Sequence, residues 1–166
     1  VKCNPTENMT ILIFDPVEPG DYPVIAHRIM QENHLHAEQV GFVRLPEKEV
    51  TGDGTGVHGV LEMMGGEFCA NATRALASIL VFNRHPNIKK VDEKYIVPLE
   101  VSGADDLVYC EVEATEEGQK FISTAKLPIH RNITEFIIVF KEIEHRGILV
   151  EFPGITHLVI SGVEDN

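Results

Sequence analysis

The chain has 166 residues, 43% hydrophobic and 24% charged, an ordinary globular profile with length for one domain or for one small domain and part of another. Its 26 acidic residues against 14 basic give a formal net charge of −12, a field that repels a phosphate backbone and argues against nucleic acid as a partner. No apolar run approaches the roughly 20 residues of a membrane span, Val1-Lys2-Cys3-Asn4-Pro5 does not read as a signal peptide, and a start at Val1 without Met reads as a trimmed terminus.

In chain order, Met9 to Phe14 is β-branched and apolar between Asn8 and Asp15-Pro16, which predicts a strand buried on both faces. Asp21 is expected to cap a helix from Tyr22 to Asn33, with Val24, Ile25, Ile29 and Met30 as its apolar stripe. His34-Leu35-His36 has period two rather than the i, i+4 spacing of a helical metal pair, so it reads as a solvated loop. Gln39 to Arg44 is a second strand. Thr51-Gly52-Asp53-Gly54-Thr55-Gly56 is a glycine-rich turn leading into a strand from Val57 to Met64. It has the glycine density of a phosphate loop without the pattern, and it opens no helix, so nucleotide binding is not expected.

The most informative segment follows. Cys69 stands between Gly65-Gly66 and an Ala-rich run to Arg84 with helical character. A thiol at a helix N-terminus meets unpaired backbone N–H groups and the positive end of the helix dipole, which favour thiolate. Cys69 is therefore a candidate acid, base or nucleophile; the alternative is a small buried hydrophobe. With Cys3 and Cys110 it makes an odd, widely spaced set without CxxC or Cys/His ligand spacing. Neither a zinc site nor a disulfide framework is indicated, and a reducing cytoplasm fits. The acidic residues (Glu47, Glu49, Glu111, Glu113, Glu116, Glu117) are scattered as on a solvated surface rather than gathered in a metal cage.

The helix predicted over Cys69 to Arg84 is apolar nearly all round, and such a helix must be enclosed. A curved sheet is the natural enclosure, and the runs Tyr95 to Val101, Leu107 to Glu113 and Lys120 to Lys126 read as its further strands. After Leu127-Pro128-Ile129 the pattern restarts with Phe136 to Phe140, Gly147 to Phe152 and His157 to Ile160. Three strands bury little core by themselves, so residues 131–166 read as the beginning of an incomplete second domain after a first domain over 1–130.

Four segments now resemble one family: Asn4 to Leu12, Glu38 to Phe42, Gly65-Gly66-Glu67-Phe68-Cys69-Ala70-Asn71-Ala72-Thr73, and Val101-Ser102-Gly103. They are similar to the cofactor-independent racemases and epimerases of the diaminopimelate epimerase type, and within that superfamily look closest to the histidine racemases of metallophore biosynthesis. The block around Cys69 is the specific one. The resemblance implies an α+β fold of two similar domains, each a mixed barrel-like sheet around a central helix, with the active site in the cleft between them. It implies a two-base inversion at Cα, one cysteine from each domain, with no cofactor and no metal. Position by position, Cys69 would be the acid or base of the first domain. Ala70, Asn71 and Ala72 would offer backbone N–H groups to the substrate carboxylate, and Asn8, Gln39 and His157 would contact substrate. Asn8 and Gln39 equally suit a strand end and a turn.

Three departures from the family pattern stand out. Relatives usually carry glycine where this chain has Glu7 and Ala70, and the partner cysteine of a second Cys-Gly block is absent. Cys110 lies mid-strand and Cys3 near the terminus, so neither replaces it. Two readings follow. The first is half of an amino-acid racemase, expected to associate with a missing C-terminal half or, less readily, to form a homodimer. The second is a catalytically inactive amino-acid-binding or interaction module. A third, the isomerase branch that resembles phenazine-biosynthesis enzymes, uses a carboxylate at the corresponding helix, and Cys69 with Asn71 argues against it.

Overall fold

The computed structural model describes residues 1–46 and 56–160. The glycine-rich turn predicted at Thr51 to Gly56 lies, but for Gly56, outside the described residues.

The fold is α+β. The first sheet contains β1 (Lys2–Cys3), β2 (Thr10–Ile13), β3 (Gln39–Arg44), β4 (Gly59–Met63), β5 (Lys89–Val91), β6 (Lys94–Val101), β7 (Val108–Ala114) and β8 (Phe121–Ala125), in the order β1-β2-β3-β4-β6-β7-β8 with β5 paired to β6. The β2/β3 and β4/β6 pairs are parallel and the others antiparallel. Each parallel pair is bridged by a helix, α1 (Tyr22–Met30) for the first and α2 (Ala70–Phe82) for the second. Both crossovers move the same way across the sheet, but β4 runs against β3. Right-handed crossovers then put the two helices on opposite faces. Two apolar clusters record the result. Ile11, Val40 and Phe42 pack with Tyr22 and Ala26 on one face. Leu12, Val43, Leu61, Val97, Leu99 and Val112 surround Ala72, Leu76 and Leu80 on the other. The strand predicted at Met9 to Phe14 is thus buried on both faces because it has a helix on each side.

α2 is enclosed as its composition requires: Ala72, Leu76 and Ala77 are fully buried, and β2, β3, β4, β6, β7 and β8 all pack on it. α1 differs from the sequence expectation. It stops at Met30, where Gln31 turns extended, and Asp21 makes no side-chain cap because a 3-10 turn over Pro19–Asp21 already leads in. Its buried face is Tyr22 and Ala26 with Ile25, Ile29 and Met30, while Val24 points outward at 56% exposure. His34, Leu35 and His36 are exposed.

The second sheet has the order β11-β10-β9, from β9 (Asn132–Phe140), β10 (Ile143–Glu151) and β11 (Thr156–Ile160). The first two strands are longer than the sequence pattern suggested. They join through Lys141 and Glu142, both at positive φ, the backbone of a two-residue hairpin turn usually signalled by Asn-Gly. Both faces carry large apolar groups in the open: Ile137 is 58% exposed and Phe140, on the opposite face, 60%.

Candidate active site at the N-terminus of the enclosed helix

The starts of β2 and β3, the end of β4 and the end of β6 share one edge of the first sheet, as the registers Thr10↔Gln39, Gly41↔Met63 and Leu61↔Val101 require. The chain leaves β4 through a turn closed by Gly66 N–H to Met63 O at 3.0 Å, and returns as α2 over that edge. Cys69 is the N-cap of α2, with extended backbone (φ −125°, ψ 106°). A cap residue carries its side chain back over the first turn, and here the cap is sulfur. Ala72 N–H donates to Sγ at 3.3 Å, and Thr73 Oγ donates to the Cys69 carbonyl at 2.7 Å. Sγ itself donates to Gln39 Oε1 at 2.9 Å. Thr10 Oγ lies 3.4 Å from that same oxygen and 3.1 Å from the Asn8 carbonyl, so its one proton serves one of them at a time.

These contacts correct one expectation. The helix terminus alone favours thiolate, yet the thiol proton affinity is raised: burial is the largest effect and the Glu67 carboxylate adds to it. The Ala72 and Asn71 amides and the Arg74 guanidinium pull the other way without prevailing. Cys69 is 9% exposed, so desolvation of the charged form outweighs the helix dipole. It rests as a thiol, consistent with its donation to Gln39.

The other predicted residues divide. Asn8 is held by Glu38, its Nδ2 donating to Oε2 at 2.8 Å, while its own Oδ1 is buried without a partner. Gln39 engages the sulfur. Ala70 is the first residue of α2 and is not among the positive-φ residues, so its methyl brings no backbone strain. Asn71 Oδ1 accepts from Arg74 Nη2 at 2.5 Å; Thr6 Oγ lies 3.4 Å from that oxygen and 2.7 Å from the Pro5 carbonyl, so its one proton serves one of them at a time. His157 lies in β11 on the second sheet, its ring edge-on to Phe152 at 5.6 Å between centroids.

Four contributors escaped the sequence reading: Thr10, Glu38, Thr6 and Arg74. Arg74 Nη2 also donates to Thr6 Oγ at 3.2 Å, tying α2 to the Thr6-Glu7 corner. Both corner residues have positive φ, 54° and 61°, which is why glycine suits position 7. The spacing of Asn71 to Arg74, one helical turn, was the available signal. Among the described residues no group of three or more His, Cys, Asp or Glu side chains could hold a metal ion, and no helix is long and apolar enough to cross a membrane. Cys110 is fully buried mid-strand with its thiol pushed up to about 12 by burial, and all three cysteines are free.

Residues 1–165 match the family described as the histidine racemase CntK N-terminal domain. A histidine racemase of Fusobacterium nucleatum subsp. nucleatum (strain ATCC 23726) is 34% identical over 163 residues, 97% of this chain and 54% of that protein. One of Staphylococcus aureus (strain Mu50) is 37% identical over 111 residues, 67% of this chain and 37% of the relative. The chain thus spans about half the length of the Fusobacterium relatives it matches. A crystal structure of methylitaconate-delta-isomerase aligns with a TM-score of 0.47 at 10% identity, covering 87% of this chain and 48% of that one.

Proposed function

The chain belongs to the histidine racemase CntK N-terminal domain family, and on that premise we propose that it forms the first half of a cofactor-independent amino-acid racemase acting on histidine. Cys69 is the acid–base group for one face of the substrate Cα. The observation that carries this reading is the pair of partners at Sγ: Gln39 Oε1 at 2.9 Å accepts from the thiol, and Ala72 N–H at 3.3 Å donates to the sulfur. Each protonation state of Cys69 therefore has a partner ready for it, which a group that both gives and takes a proton needs.

Because burial holds Cys69 as a thiol, it starts as the acid. A base on the opposite face, from the remaining half of the protein, removes the Cα proton; the Cys69 S–H delivers a proton to the near face and becomes thiolate. The next turnover runs in the reverse sense, with Cys69 as base. The Ala72 and Asn71 amides serve the sulfur, which leaves the Ala70 amide as donor to the substrate carboxylate at the helix N-terminus. In this reading the second sheet, apolar and open on both faces, belongs to the beginning of the second domain expected over residues 131–166. His157 faces substrate from that side once the cleft is complete, and the small-molecule amino acid is the partner.

Glu7, held at a φ of 61° where glycine suits the corner, favours a second reading, an amino-acid-binding module without turnover. Deuterium uptake at Cα from heavy water by the complete two-domain protein, across a panel of amino acids, separates the two. The racemase reading expects exchange of histidine that depends on Cys69; exchange of no amino acid leaves the binding module.

A further inference from the structure

Three stretches of backbone meet at the segment that leads into Cys69, without side chains between them. They are Gly66 to Phe68, the three residues before Cys69; Gly103, in the turn after β6; and Gly154, in the turn between β10 and β11. A Cβ at Gly103 would stand 2.3 Å from Phe68 N, and one at Gly154 would stand 2.5 Å from both Gly103 Cα and Gly66 O and 3.2 Å from Glu67 Cα. Ser102 locks two of the three: its Oγ donates to Glu67 O at 2.8 Å and accepts from Met63 N–H at 3.0 Å. The third belongs to the second sheet, whose turn is closed by Phe152 N–H to Ile155 O at 2.8 Å. Arg131, just before β9, pairs with Asp105, two residues after Gly103.

We propose that Gly154 is a positioning residue: the β10–β11 turn, seated backbone to backbone on Gly66 and Gly103, holds the loop that delivers Cys69, so that the second sheet sets the reactivity of the thiol. Backbone cannot rotate aside as a side chain does, so any methyl at position 154 must lift the turn or displace the cysteine loop. Gly154 is not in the left-handed region that Gly66 and Gly103 occupy. Alanine there is resisted by the close approach alone, which makes it the clean probe. Displacement of the loop would act on two influences already raising the thiol's proton affinity, the burial of Sγ and the position of the Glu67 charge. The catalytic meaning of this coupling rests on the racemase reading; the coupling itself does not.

The test is the rate of Cys69 alkylation by iodoacetamide against pH, read by peptide mass mapping in this chain and in Gly154→Ala. Gly20→Ala, where a Cβ meets nothing within 4 Å, is the control. Gly154→Ala should speed alkylation by about three- to tenfold below the thiol's pKa, as greater exposure of the sulfur requires, with Gly20→Ala at the wild-type rate. A folded Gly154→Ala with the wild-type rate across the pH range overturns the proposal. Should that variant fail to fold, hydrogen exchange in the wild type decides. The Gly66, Ser102 and Phe152 amides should lose protection together in a denaturant series, and opening of Phe152 while Gly66 and Ser102 stay protected overturns the coupling. Absence of Cα exchange in a complete protein whose thiol responds as stated removes the racemase reading and leaves this one standing.

Discussion

Cys69 Sγ and Gln39 Oε1 lie 2.9 Å apart although one caps a helix and the other opens a strand thirty residues earlier. The parallel pairing of β2 with β3 puts Thr10 beside Gln39, and the turn after β4 carries the helix cap over both. A neutral amide oxygen at that place accepts from a thiol and does not repel a thiolate as a carboxylate would.

Gln39→Glu should therefore raise the proton affinity of Cys69 further, because a negative charge beside sulfur disfavours thiolate. Alkylation of Cys69 at pH 8 should slow by about tenfold or more, one pKa unit being tenfold in thiolate fraction. An unchanged pH profile would mean that the side chains do not meet in solution.

His58 is 1% exposed, and the His85 ring lies 5.4 Å away between centroids. Burial first, then His85, lowers its pKa from the ordinary 6.5, and the Asn87 backbone pulls the other way without prevailing. The unfolded chain thus binds a proton at higher pH than the folded one does. This contribution to stability is fully present above pH 6.5 and is lost as pH falls from there toward the folded value. Urea midpoints measured from pH 7.5 down to 5 should fall, and His58→Leu should flatten that part of the slope.

Leu76 sits at the centre of α2, fully buried among strands of the first sheet. Leu76→Ala should destabilise the chain by about 2–5 kcal/mol through lost burial and the cavity left behind. Val24→Ala, on the exposed side of α1, should change stability by less than about 0.5 kcal/mol. Equilibrium denaturation of the two variants checks both.

The sheet around α2 was legible because a helix of Ala70, Ala72, Ala75, Leu76 and Leu80 leaves only the narrow stripe of Asn71, Arg74 and Ser78 to give to water. β1 and β5 were not, since two- and three-residue strands such as Lys2–Cys3 and Lys89–Val91 carry no periodicity. The long β9–β10 hairpin was read short because Lys141-Glu142 lacks the residues that usually mark such a turn. At the site, Cys69 showed itself by its place before an Ala-rich run. Its protonation state did not, because the competition between helix dipole and burial depends on what covers the sulfur. Thr10 and Glu38 were invisible for a related reason: their roles come from strand register, not local pattern.

The measurement that bears most directly on the central claim is Cα–deuterium incorporation into L- and D-histidine in heavy water, by the complete two-domain protein and by its Cys69→Ala variant. The account predicts exchange of both enantiomers by the wild type and a loss of about 10²-fold or more on removal of the thiol, the usual worth of a positioned acid–base group. Exchange that persists at the wild-type rate in Cys69→Ala would contradict it.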